Sequence, residues 1–393
     1  MEIASRETPF QNVQSFDTEF AEKIPVSKPA MPRAADVLPY LEQIDESGWY
    51  SNFGPLVRAF ESRLAERFRS PTEVVTIANG TIALALVLQA LGLPKGALCA
   101  APSWTFVATA HAIRLAGLTP WFVDVEPMHG ALTPDVLLAC LDEAPGPVVG
   151  VIPVAVMGQP IEAEAWRAFE LQTGIKVVID AAAGFDAVDQ APVPVMVSLH
   201  ATKALGVGEG AFVATEDPEL ARNLRSITNF GFQVDRTSHQ EATNAKLSEY
   251  GAAVGLAALD KWATTRLRYF MAAKLMRIAF SNLPDVKLQG GWGVDWISST
   301  CIIRLPKGTL EVIEADLAAR HIDTRRWWGS GCHRAPAFAG APTTNLTVTE
   351  DLADSILGIP FFADIGRDQI NSIVEALDVA LKRFDQASPG AKQ

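Results

Sequence analysis

The chain has 393 residues, 49% apolar and 20% charged, the balance of a well-packed globular protein long enough for two domains. A formal net charge of −12 argues against general nucleic-acid binding, which needs a basic face, although a few local donors can still hold a small anionic ligand. Four dispersed cysteines without paired metal-type spacing point to reduced thiols and a cytoplasmic setting with no metal site, and no signal-peptide or membrane-spanning pattern is visible.

Residues 1–34 read as an N-terminal arm. It is polar and mixed to about residue 24, apt to pack on a neighbour or fray, and is then punctuated by Pro25, Pro29 and Pro32. Residues 35–47 predict a helix. Asn52-Phe53-Gly54-Pro55 predicts a turn, with Pro55 suited to the first turn of a helix over 56–68. That helix places Leu56, Phe60, Leu64 and Phe68 on one face. Strand and helix then alternate: strands at 74–77, 98–101, 120–125, 148–154, 177–180, 193–199 and 212–215, helices at 82–91, 105–115 and 162–172. Such alternation predicts an α/β fold with a mostly parallel sheet covered on both faces. Residues 243–262 read as one apolar helix and 266–280 as an amphipathic one. After them, short strands at 286–288, 296–304 and 321–323 and a last helix at 364–384 predict a smaller α+β domain. The expected division is an arm at 1–34, a large domain at 35–262 and a small domain at 263–393.

The chemistry concentrates at strand ends, where sheets of this kind bind ligands. The strand at 177–180 ends on Asp180, and a charge there is costly without a partner. The strand at 193–199 runs into Ser198-Leu199-His200-Ala201-Thr202-Lys203, followed by Gly206, Gly208 and Gly210. Those glycines read as a loop where backbone approaches something closely. Taken singly, Lys203 could be a surface lysine and Asp180 a capping aspartate. Together they suit pyridoxal phosphate (PLP), which needs a lysine to hold it as a Schiff base and an acid to keep its ring nitrogen protonated. Asn79-Gly80-Thr81, between a strand and a helix, could bind a phosphate through free N–H groups. The stretch from Pro102 to Thr109 offers Trp104 and Phe106, either of which could stack on a flat ring or serve the core.

These segments resemble the DegT/DnrJ/EryC1/StrS sugar aminotransferases, PLP enzymes of fold type I. Further matches are Asn52-Phe53-Gly54-Pro55, the run from Pro153 to Pro160, Asp180-Ala181-Ala182, the run from Ser198 to Gly210, Asn229-Phe230-Gly231, the run from Asn244 to Glu249, and Leu357-Gly358-Ile359-Pro360. The resemblance implies that Lys203 carries the cofactor and shuttles a proton, and that Asp180 pairs with the ring nitrogen. It implies that Gly80, Thr81 and Ser198 hold the phosphate and that Phe106, rather than Trp104, stacks on the ring. It also implies a homodimer with shared sites, in which Asn229 and Asn244 reach the partner's cofactor phosphate. The implied donor is L-glutamate. The implied acceptor is a nucleotide-linked keto-sugar, of the dTDP-4-keto-6-deoxyglucose type by the form of the Ser198 to Gly210 segment. Where the family carries glutamine or histidine, this chain has Ala183, a contact that His200 or a water could replace; His200 itself could be a structural histidine, a proton-transfer group or a sugar contact. Two other readings remain: transamination of a non-nucleotide ketone such as a cyclitol, and a catalytically silent PLP-binding regulatory protein.

Overall fold

The computed structural model describes residues 23–387, so most of the expected arm, residues 1–22, lies outside the described residues. Helices α1 (Ala34–Ser47) and α2 (Pro55–Ala65) lead into β1 (Glu73–Ile77) and α3 (Gly80–Ala90). The alternation continues through β2 (Leu98–Pro102), α4 (Val107–Leu115), β3 (Thr119–Val123), α5 (Pro134–Cys140), β4 (Val148–Val151) and α6 (Ala163–Thr173). It closes with β5 (Lys176–Val177), β6 (Ile179–Asp180), β7 (Val195–Ser198), β8 (Ala211–Thr215) and α7 (Pro218–Ile227). Then follow α8 (Glu249–Asp260), α9 (Trp262–Phe280), β9 (Lys287–Leu288), β10 (Cys301–Arg304), α10 (Leu310–Ala319), α11 (Thr347–Ala353), β11 (Ile356–Ile359) and α12 (Arg367–Ala387).

The large sheet has two halves, β3-β2-β4-β5 and β6-β7-β8-β1. Residues 176–180 stitch them together. Val178 N–H donates to Val151 O (3.0 Å) and Asp180 N–H to Pro153 O (2.9 Å) on one side, while Ile179 N–H donates to Pro194 O (2.8 Å) on the other. In the joined sheet only β8 runs against its neighbours. β2 and β8 are buried along their whole length, which their continuous apolar runs require. The second sheet, β11-β10-β9, is small and antiparallel.

Three features depart from local expectation. The helix expected over 243–262 begins only at Glu249, where the Ser248 hydroxyl accepts the Gly251 N–H at 3.1 Å and caps it. Before it the chain is extended, because β1 is an edge strand with unpaired backbone groups: Ala78 N–H donates to Ala245 O (2.8 Å) and Lys246 bridges Ile77. At the chain's start, Ile24 N–H donates to His321 O and Phe361 N–H to Val26 O, so residues 24–27 pair within their own chain, beside the small sheet. Near the other end, Phe122 N–H donates to Pro342 O and Thr344 N–H to Phe122 O, which sets residues 342–344 along the outer edge of β3. One apolar core runs from α2 through α9 to α12, across the expected division at residue 262.

The Asn52-Phe53-Gly54-Pro55 turn is tied to α8 by a buried charge. Glu249, 1% exposed, accepts the N–H of Leu56 (2.8 Å) and of Val57 (2.9 Å), two first-turn donors of α2 that the helix itself cannot satisfy. A Cβ at residue 54 would stand 2.6 Å from the Glu249 carboxyl carbon, so only glycine fits there. Glu249→Ala leaves both donors buried and unpaired. It is expected to destabilise the fold by ~3 kcal/mol, measured by chemical denaturation; a loss below ~0.5 kcal/mol would show that water replaces the carboxylate.

Candidate functional site

Three chain segments converge at the carboxyl ends of β1, β6 and β7. β6 delivers Asp180 as its last residue. It is 5% exposed, and its carboxylate takes the Thr109 hydroxyl on Oδ2 (2.7 Å) and the Ala182 N–H on Oδ1 (3.1 Å). Thr109 is held in turn by Thr105, hydroxyl to hydroxyl at 2.9 Å, one helical turn away at the start of α4. Thr109 was not singled out from sequence. No local sequence pattern marks it: Thr105 precedes α4, Thr109 lies in its first turn, and both are buried.

Lys203 lies in the loop after β7. That loop doubles back on itself: Ala201 N–H donates to Gly208 O and Val207 N–H to Leu199 O, both at 2.8 Å, and Lys203 N–H donates to His200 O at 2.8 Å. Two glycines make the fold-back possible. Gly208 has φ +99°, and a Cβ on Gly206 would lie 2.8 Å from Ala201 O. Burial pushes the Lys203 ammonium down from its ordinary value, opposed by the Asp180 charge. Burial pushes Asp180 up, opposed by the Thr109 and Ala182 hydrogen bonds and by the Lys203 charge. The two groups therefore form a coupled acid and amine at one sheet edge.

Gly80 opens α3 directly against β7. A Cβ there would lie 3.1 Å from Met196 Sδ and 3.6 Å from Ser198 Cβ. Asn79 Oδ1 accepts the Ile82 N–H (3.0 Å) and caps the helix, whose first N–H groups, those of Gly80 and Thr81, have no partner within it. Ser198 is buried there, and its hydroxyl accepts the His200 N–H at 3.2 Å. Phe106, just ahead of α4, is 56% exposed, whereas Trp104 is buried edge-on against Trp328. Trp104 thus serves the core, and Phe106 is the aromatic left available to a ligand.

The remaining candidates fall elsewhere. His200 is turned into its own loop: Thr202 N–H donates to Nδ1 (3.3 Å), the Thr202 hydroxyl lies at 2.9 Å, and Nε2 faces Glu209 at 3.6 Å. The Ala183 carbonyl packs under Gly158, where a Cβ would approach it to 2.5 Å. Asn229 and Asn244 bridge each other on the outer side of β1, with β8 between β1 and the Ser198 strand. Among the described residues no cluster could hold a metal ion, and no helix is long and apolar enough to cross a membrane.

The sequence profile of the DegT/DnrJ/EryC1/StrS aminotransferase family matches residues 33–378. The chain is 30% identical over 361 residues to a dTDP-3-amino-3,4,6-trideoxy-alpha-D-glucose transaminase of Streptomyces venezuelae, covering 88% of this chain and 92% of that one. It is 26% identical over 378 residues to a dTDP-4-amino-4,6-dideoxy-D-glucose transaminase of Escherichia coli, covering 90% and 98%. The crystal structure of DesI in the presence of its TDP-sugar product superposes with a TM-score of 0.84 at 31% identity, covering 95% of this chain and 97% of that one. The chain thus has the architecture of the fold type I, PLP-dependent transferases, and it belongs to the DegT/DnrJ/EryC1/StrS aminotransferase family.

Proposed function

We propose that this chain moves an amino group from L-glutamate to a nucleotide-linked keto-sugar of the dTDP-4-keto-6-deoxyglucose type, giving a 4-amino-4,6-dideoxy sugar. The observation that carries the reading is the buried Asp180 coupled to the half-buried Lys203, beside a helix start that lies on Ser198. The nucleotide-sugar half rests on the two dTDP-sugar transaminases and on DesI.

The residues fit pyridoxal phosphate. Gly80 keeps α3 pressed to β7, so the Gly80 and Thr81 N–H groups and the Ser198 hydroxyl could meet one phosphate. Phe106 could cover a ring face. Asp180, its orientation fixed by Thr109 and the Ala182 N–H, could hold a proton on a ring nitrogen by a charge-assisted hydrogen bond. When bound, the cofactor supplies an electron sink that makes the donor's Cα–H acidic. Lys203 supplies the amine that anchors the cofactor and, once free, moves the proton. Its depressed basicity favours the neutral amine that both tasks need. His200, engaged by Thr202 and Glu209, fits a role in shaping the loop better than proton transfer. Asn229 and Asn244 lie beyond the edge of the chain's own sheet, which supports a role for them at the site of a second copy in a homodimer.

Purified enzyme with L-glutamate is expected to release 2-oxoglutarate in amounts matching amine transferred to a dTDP-4-keto-6-deoxy sugar. Transfer to the 3-keto isomer instead would move the site of amination. Turnover with a nucleotide-free cyclitol ketone at equal efficiency would replace the nucleotide-sugar reading. Absence of 2-oxoglutarate with every acceptor would favour the regulatory one.

A further inference from the structure

Lys246 makes an arrangement that the acid and amine chemistry does not use. Its Nζ donates to Asn229 Oδ1 and to Asn244 Oδ1, each at 2.8 Å, and the Phe230 ring lies 4.9 Å from the ammonium. Phe230 is exposed and has φ +59°, a conformation that bulky side chains rarely adopt. An ammonium can only donate, so both carboxamides must turn their oxygens toward it. Their NH₂ groups are thereby directed away from Lys246, and no hydrogen bond from either occurs among the described residues. The result is two amide donors held by one positive charge. An anion is the ligand such a pair suits.

Within one chain, the Ser198 side of the phosphate cradle is separated from Lys246 by β1 and β8. Lys246 pairs with Ile77 on the outer edge of β1, whereas Ser198 sits on β7, three strand spacings or ~14 Å from Lys246. We propose that Lys246 is a positioning residue: it orients Asn229 and Asn244 as a donor pair for the cofactor phosphate of a second copy of this chain. The inference rests on the shared-site reading above and adds to it the residue that sets the amides.

The test is the affinity of the dimeric protein for pyridoxal phosphate itself, read from the visible absorbance of bound cofactor, with light scattering to confirm the dimer. Lys246→Met removes the donor and is expected to weaken cofactor binding about tenfold or more. Lys246→Arg, which can still donate to both carbonyls, is expected to stay within about threefold of wild type. The double variant Asn229→Ala/Asn244→Ala is expected to be as weak as Lys246→Met. Wild-type affinity in Lys246→Met alongside a weakened double variant would overturn the role of Lys246 and leave the shared site standing. Wild-type affinity in the double variant would overturn the shared site itself. If Lys246→Met does not fold, Lys246→Gln replaces it. An affinity between those of wild type and the double variant supports the proposal, and wild-type affinity overturns it.

Discussion

Lys203→Ala is expected to lose turnover by about four orders of magnitude or more, because in the proposed role one substitution removes both the anchor and the proton carrier. The fold should survive. The loop around Lys203 is built from backbone hydrogen bonds and glycine geometry, and the Lys203 side chain takes part in neither. Removing a buried, partly desolvated amine also leaves a small space rather than an unpaired donor. A second readout separates the anchoring role from a general loss of activity. Borohydride treatment of the wild-type holoenzyme should attach the cofactor irreversibly to the peptide containing Lys203, and the Ala variant should show no attachment. Labelled cofactor on another lysine, or turnover within tenfold of wild type, would remove Lys203 from its assigned role.

The second large effect is expected at Asp180. Asp180→Asn keeps the shape of the side chain and can still accept the Thr109 hydroxyl, but it removes the negative charge. Cofactor should still bind through Gly80, Thr81 and Ser198, while turnover falls by about two orders of magnitude or more as the ring nitrogen loses its proton. The variant also relieves a desolvation cost, since burial already pushes the Asp180 carboxyl upward. Its melting temperature should therefore not fall in proportion to its activity. Near-normal turnover with cofactor bound would show that the ring proton is held some other way.

The family resemblance was legible because its segments are short and local. Lys203 with its glycines, Asp180 at the end of an apolar run and Gly80 at a strand-to-helix turn each sit inside a single stretch of sequence. Their physical meaning is local too: a period of burial, a turn, a helix start. Residues that act through a distant partner gave no such signal. Thr109 reaches Asp180 across 71 positions and Glu249 reaches Leu56 across 193, and neither separation has a local pattern.

Apolar runs and turn residues dictate the alternation of strands and helices, hence a mostly parallel sheet, and the end of that sheet where chemistry collects. Buried runs of apolar residues fix strands almost independently of their neighbours, and the carboxyl ends follow from chain direction. The partner of each strand edge, by contrast, depends on long-range packing. Residues 244–246 could have continued a helix by composition. They lie instead along β1, because an unpaired edge offers backbone hydrogen bonds that a frayed first turn does not. The same need to satisfy edge groups draws residues 342–344 to β3 and residues 24–27 to residues 321–323 and Phe361, beside the small sheet. That pairing also brings Lys246 between two asparagines, an arrangement that spacing along the chain does not specify.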